Sequence, residues 1–291
     1  MCLLKEYKMI KRILVKYAMK IITQGYPGKA IVAKLLYDNS YSSIEFLIEI
    51  TAITRPPYAY CLYYAALLAK RLKIYRISAI EFGVAGGNGL IAIEKLAKRI
   101  HKEIGVEIEV YGFDTSEGLP PPQSKYDIPY RVQEGFFPMD VEALKNRLEN
   151  AQLVLGDVKE TVPTFIKKYD PSPIGAIFYD MDYYSSTMNA FQLFQDNDSY
   201  YLPRCFMYFD DIVGGPWQMY GNENGELLAI KHFNTQNEFK KIHKNQNLSC
   251  RASQPWHHQI YYYHNFNHPQ YAQFIGGTTD QKIIMQVLKL R

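Results

Sequence analysis

From Ile77 onward the chain alternates short apolar runs with helix-length segments, and this alternation limits the fold more than any other feature of the sequence. The runs are Ile77–Val84, Ile108–Phe113, Gln152–Leu155, Ile174–Tyr179 and Cys205–Phe209, with a helical pattern over Gly89–Lys102 after the first. Runs rich in Val, Ile, Phe and Tyr, spaced by helices, predict a mostly parallel sheet with helices on both faces. The expectation from these runs is therefore a mostly parallel α/β sheet. Four of the five runs lead into aspartate: Asp114, Asp157, Asp180 and the pair Asp210-Asp211. Ligands of open α/β sheets bind at the carboxyl ends of the strands, so these acids collect where a site is expected.

The first 75 residues have a different character. Helical patterns follow one another at Lys29–Tyr37, Ser43–Thr51 and Pro57–Leu72, preceded by Leu3, Tyr7, Ile10, Leu14, Tyr17 and Ile21 at steps of four and three. Residues 1–75 are read as a helical extension serving as cap or subunit contact, and residues 76–291 as the main domain. The net charge is +4, yet six bases (Lys5, Lys8, Lys11, Arg12, Lys16 and Lys20) stand against Glu6 in the first 20 residues, leaving residues 21–291 with a net charge of −1. A broadly basic nucleic-acid surface is thereby excluded. The basic amphipathic segment over residues 1–22 suits packing on the body of the protein or on a second subunit of a homo-oligomer, or contact with a membrane surface. No apolar stretch reaches the roughly 20 residues of a membrane span. Cys2, Cys61, Cys205 and Cys250 are scattered, without zinc-site spacing, which suits a reducing, cytoplasmic setting.

The first strand runs into a loop, Glu81-Phe82-Gly83-Val84-Ala85-Gly86-Gly87-Asn88-Gly89, that opens a helix. Glycines allow the tight turn, and the helix N-terminus offers free N–H groups. Gly87-Asn88-Gly89-Leu90-Ile91-Ala92 also fits the dinucleotide pattern, so an NAD(P)-dependent oxidoreductase is one alternative. Two residues before the first glycine, Glu81 lies where it can fix loop amides or meet a cationic amino group through water. Asp114 suits the hydroxyls of a ribose, and Asp157 an adenine amino group. This set describes an adenosine carrying an amino acid more naturally than a pyrophosphate.

With these residues in view, the sequence resembles a known family. Glu81-x-Gly83-x-x-Gly86-Gly87-x-Gly89 is similar to motif I of class I S-adenosylmethionine (SAM) methyltransferases. Gly112-Phe113-Asp114-Thr115-Ser116-Glu117-Gly118-Leu119-Pro120 resembles the second-strand segment of the macrocin O-methyltransferase branch. Asp180-Met181-Asp182-Tyr183-Tyr184-Ser185-Ser186-Thr187 resembles that branch's D-x-D-x-Y-x-S-T, and Asp210-Asp211 its paired aspartates. The resemblance spans residues 77–215 and implies a Rossmann-like α/β sheet of about seven strands, mostly parallel, with helices on both faces. It implies a SAM-dependent O-methyltransferase acting on a hydroxyl of a small molecule or sugar, with Glu81, Gly83, Gly86, Gly87, Gly89, Asp114, Thr115 and Asp157 around the cofactor. A SAM-fold protein that binds a partner without catalysis is the further alternative.

Adjacent strands lie about 4.8 Å apart, so pairing of the fourth and fifth runs brings the carboxylates of Asp180, Asp210 and Asp211 together. Such carboxylates repel unless protonated or bridged, and Mg²⁺ is the natural bridge. The metal-dependent members of the resembling family use such a site. Asp180 and Asp182 are the candidate catalytic residues; for Asp182 the competing reading is a cap on the next helix, through the N–H of Ser185 or Tyr184. Direct methyl displacement needs no nucleophilic side chain, only positioning and removal of a proton. For the base the sequence leaves His257, His258, His264, Glu223, Glu226 and the segment Arg55-Pro56-Pro57-Tyr58 open. The proline-rich loop Glu117–Arg131 is expected to be a lid.

Overall fold

The computed structural model describes residues 42–250, 254–277 and 285. The basic segment over residues 1–22 and the helix expected at Lys29–Tyr37 lie outside them. The chain divides into two compact units, the first ending at Tyr60 and the second beginning at Cys61. Within the first, α1 (Ile44–Glu49) is capped by Ser43, whose side chain accepts from Phe46 N. It is followed by α2 (Pro56–Arg71), which starts on two prolines with fixed helical φ and crosses the unit boundary.

The second unit is built on one seven-stranded sheet in the order β3-β2-β1-β4-β5-β7-β6. Its elements are β1 (Arg76–Phe82), α3 (Asn88–Ile104), β2 (Glu107–Asp114), α4 (Val141–Lys145), β3 (Gln152–Leu155), α5 (Val158–Tyr169), β4 (Ile174–Tyr179), α6 (Tyr184–Ala190), β5 (Tyr201–Phe209), α7 (Gly225–Gln236), β6 (Lys240–Lys244), α8 (Gln246–Ser249) and β7 (Ile260–Asn265). The first five strands pair in parallel, and β7 runs antiparallel to both β5 and β6. The expected Rossmann-like sheet is present, and strand order reverses between β1 and β4, the place where such sheets bind ligands.

β5 begins four residues earlier than its apolar run suggests. Its register to β4 slips between Ile174↔Tyr201 and Ala176↔Phe206, and Pro203, which has no N–H to give, falls inside the slip. β6, Lys-Lys-Ile-His-Lys, has only Ile242 buried and escapes detection by hydrophobicity. Lysines on an outermost strand discourage pairing with another chain.

One row of rings levels the carboxyl edge of the sheet. Phe82, Tyr179 and Phe209 end β1, β4 and β5, Phe113 stands one residue before the end of β2, and the four are in register and fully buried. Their centroids are 4.8, 5.3 and 4.7 Å apart, the last pair stacked with nearly parallel planes. Each contact adds about 0.5–1.5 kcal/mol beyond the area it buries. Side chains alternate across a strand, so the residue after each ring points to the other face. Those residues are Asp114, Gly83, Asp180 and Asp210.

Candidate functional site

A cavity of about 380 Å³ opens over this edge, within the size range of small-molecule pockets. Of the residues singled out from sequence, Gly83, Asp114, Thr115, Asp157, Asp180, Asp182, Asp210 and Asp211 line it, whereas Glu81, Gly86, Gly87 and Gly89 do not.

The glycines act through geometry. Gly83 has φ +84°, and a Cβ there would sit 1.8 Å from the carbonyl oxygen of Asp180, so the β1 and β4 ends can meet only at glycine. A Cβ at Gly89 would lie 1.8 Å from Glu81 Oε1. The absent side chain lets a buried carboxylate rest against the first turn of α3, where the helix dipole favours negative charge. Gly86 has open space around it.

Asp114 holds the loop. Its Oδ2 accepts from Val84 N (2.9 Å) and Ala85 N (2.8 Å), and its Oδ1 from Ser116 N (2.7 Å). Oδ1 keeps a second acceptor position, since each carboxylate oxygen has two. Thr115 Oγ1 donates to Gly118 O, closing the turn that follows. Asp157 caps α5 by accepting from Lys159 N while also lining the cavity.

At the other end Asp180, Asp210 and Asp211 each place a carboxylate oxygen within 4.8 Å of the other two. Burial, followed by repulsion from neighbouring acids, pushes the Asp180 and Asp211 carboxyls well above the usual carboxylate range. Asp182 is raised by burial too, with Arg131 and a hydrogen bond to Asp211 opposing. Two tyrosines that sequence reading missed support the cluster: the Tyr208 hydroxyl donates to Asp210, and Tyr220 donates to Asp211 at 3.0 Å. Behind them Glu226 is fully buried, its Oε2 accepting Asp211 N at 3.1 Å. The two-residue alternation of extended chain marks Tyr208, two residues before Asp210; nothing local marks Tyr220.

The capping role offered for Asp182 belongs to another residue. Asp182 has φ +59°, costly for a residue with a side chain, and its N–H donates to Asp211 Oδ2 at 2.8 Å. The N–H of Ser185 is taken at 2.7 Å by Asp127, from the loop expected to be a lid. Asp127 is completely buried and also accepts from Gln123 N and Ser124 N. The loop is fastened further by Leu119 N to Phe136 O and Gly135 N to Leu119 O, by Tyr130 Oη to Gln218 O, and by a small core of Ile128, Val132 and Tyr183 with Leu119 and Tyr220. It forms a wall packed on its own core.

The remaining base candidates of the second unit do not line the cavity. Glu223 pairs with Lys231 on the surface, and His257, His258 and His264 do not line the cavity. Arg55 lies over the ring of Tyr58 in the first unit.

The architecture matches a solved structure. CalS11, a calicheamicin methyltransferase, aligns with a TM-score of 0.51 at 20% identity, over 81% of this chain and 92% of that one. The chain shares the Rossmann-like α/β fold of that structure. The O-methyltransferase NovP aligns at 14% identity and a TM-score of 0.46, over 70% of this chain and 77% of that one. No protein-family model matches the sequence, and no curated protein does. Among the described residues no helix is long and apolar enough to cross a membrane.

Proposed function

We propose that this chain is a SAM-dependent O-methyltransferase that acts on a hydroxyl of a small molecule or sugar with the help of Mg²⁺. The observation that carries the reading is the single cavity with two chemically distinct ends, Asp114 and its glycine loop at one and the three-aspartate set at the other. Glu81 favours SAM over a dinucleotide. Its carboxylate already occupies the helix N-terminus where a pyrophosphate would sit, and a second anion there is repelled.

The donor set fits a hard cation. Ligand oxygens lie at most about 4.2 Å apart around Mg²⁺ and about 5.2 Å around Ca²⁺, so oxygens within 4.8 Å of one another can close on either with a small shift. Asp180, Asp210 and Asp211 would hold the ion, and Asp114, Thr115 and Asp157 the adenosine. When bound, SAM supplies an electrophilic methyl group, and the metal supplies positive charge that orients acceptor oxygens and lowers a hydroxyl pKa. The protein fixes the loop through Asp114, screens the reaction from water with the wall anchored by Asp127, and takes the proton on the carboxylate of Asp182. Its raised pKa brings that carboxylate nearer the range useful for a general base.

Calorimetric titration with S-adenosylhomocysteine (SAH) and with NAD tests the reading. SAH binding without NAD binding supports it; the reverse assigns the loop to an oxidoreductase. SAH binding with no transfer to any acceptor would point to a non-catalytic SAM-fold protein. The basic segment over residues 1–22 is assigned from its sequence to homo-oligomer assembly, with peripheral membrane contact as the other outcome when residues 1–20 are deleted.

A further inference from the structure

Asp211 is fixed from three directions. The hydroxyl of Tyr220 donates to its Oδ1 at 3.0 Å, the N–H of Asp182 donates to its Oδ2 at 2.8 Å, and its own N–H is taken by Glu226 at 3.1 Å. A carboxylate with a donor on each oxygen cannot turn about its last bond without losing one of them, and each oxygen keeps a second acceptor position. Asp182 depends on this setting. Its φ of +59° is a strained conformation that persists only where neighbours impose it, and the bond to Asp211 ties that turn to the carboxylate.

Tyr220 arrives from the connection between β5 and α7, where residues 213–217 are exposed. Around Tyr220 itself the backbone is strapped on both sides. Tyr130 Oη donates to Gln218 O at 2.9 Å, Asn224 Nδ2 donates to Met219 O at 3.1 Å and to Tyr130 Oη at 3.2 Å, and Asn224 Oδ1 accepts from Gly221 N at 2.9 Å. Met219 is held at φ +52° within that strap. The ring of Tyr220 lies on the core of Ile128, Val132 and Tyr183, and it passes so close to Gly214 that a Cβ there would sit 2.8 Å from Cε2. Packing alone sets the plane of a ring. Fixing the peptide groups on both sides also sets where the hydroxyl ends, and that hydroxyl ends on Asp211.

Resting on the metal-assisted reading above, we propose that Tyr220 is a positioning residue: its hydroxyl, aimed by the strap of Tyr130 and Asn224, sets the Asp211 carboxylate for the cation and, through Asp211, the turn that presents Asp182. Tyr220 does not line the cavity and acts only through Asp211. Partners placed behind metal-binding groups orient them, and their loss costs about 10–100-fold in metal affinity.

The test compares Tyr220→Phe with the parent as full chains, by calorimetric titration of Mg²⁺, by titration of SAH without Mg²⁺, and by melting temperature with and without Mg²⁺. Phe keeps the ring on its core and removes only the hydroxyl. The expected result is an Mg²⁺ affinity weaker by about tenfold or more, a smaller Mg²⁺-induced rise in melting temperature, and unchanged SAH affinity, because the Asp114 end is untouched. Tyr130→Phe leaves every group at the aspartates in place and loosens only the strap, so it should weaken Mg²⁺ binding in the same direction by a smaller factor. Unchanged Mg²⁺ affinity in Tyr220→Phe, or in Tyr130→Phe where the first variant does not fold, overturns the proposal. So does a parallel loss of Mg²⁺ and SAH binding, which would make the tyrosine a general support of the fold. A parent that binds SAH but no Mg²⁺ removes the metal reading and this proposal together; a parent that binds neither removes the methyltransferase reading as well.

Discussion

Asp127 Oδ1 accepts the backbone N–H of Ser185 at 2.7 Å, joining two segments 58 residues apart. The same carboxylate closes its own turn through Gln123 N and Ser124 N. It therefore caps α6, which begins directly after Asp180-Met181-Asp182, and holds the cavity wall against the residues assigned to chemistry.

Replacing the fully buried Asp127 with Ala leaves these amide donors, on half-buried or exposed residues, without their acceptor. The expected loss is about 1–3 kcal/mol per unsatisfied group at most, discounted where water enters. Urea unfolding measures it, and limited proteolysis should show new cleavage within 117–136. A variant as stable and as protease-resistant as the parent would mean that the loop is held by its apolar core alone.

The glycines of the first loop separate into two classes that substitution distinguishes. Gly83→Ala drives a methyl group onto the Asp180 carbonyl and forces a side chain into positive φ. A cost of about 3 kcal/mol or more follows from overpacking and strain together. Gly86→Ala meets nothing within 4 Å and has no positive φ, so its stability should stay within about 0.5 kcal/mol of the parent. Thermal melts of the two variants side by side decide the point; equal losses would contradict the geometry.

The difference between those two glycines shows what the sequence could convey. The β/α alternation, the glycine loop and the aspartates at strand ends are local patterns, and the sheet delivered them to one edge as periodicity and strand pairing require. Asp127, Tyr220 and Glu226 are not local. Asp127 serves Ser185, Tyr220 serves Asp211, and Glu226 serves Asp211 from the next helix, and none of these distances is encoded by spacing along the chain. A proline-rich loop reads as mobile, yet the buried contacts of Ile128 and Val132 make it a wall. The aromatic residue before each aspartate was legible in principle, since Phe113-Asp114, Tyr179-Asp180 and Phe209-Asp210 repeat one pattern. Only the register turns that pattern into a continuous row of rings.

Glu226 offers a test of the electrostatics behind the cluster. Its carboxyl is pushed well above the usual range by burial, then by Asp211, Asp180 and Asp210, so the folded state favours the protonated form. A raised pKa contributes stability below the ordinary carboxylate range, and that stability is lost as pH rises toward the folded value. Glu226→Gln keeps an oxygen for Asp211 N and removes the ionisation. It should be more stable than the parent near neutral pH and indistinguishable near pH 4, as read by urea midpoints. A destabilised Gln variant at neutral pH would show that the charge is tolerated and needed.

The same sign governs the cavity aspartates, and there a cation should reverse it. Asp180 and Asp211 are both raised, so protein stripped with EDTA should lose stability as pH climbs from about 5 to about 8, because the unfolded chain ionises freely while the folded one resists. Under the proposed function, Mg²⁺ would bind the ionised set and not the unfolded chain, adding stability as RT ln(1 + [Mg²⁺]/Kd). The rise in melting temperature on adding Mg²⁺ should therefore be larger at about pH 8, where proton competition is weak, than at about pH 5. Asp210→Asn removes one of the three charged donors and should abolish most of that rise. A rise independent of pH, or one that survives in Asp210→Asn, would place the cation elsewhere and leave the three aspartates to hold protons instead.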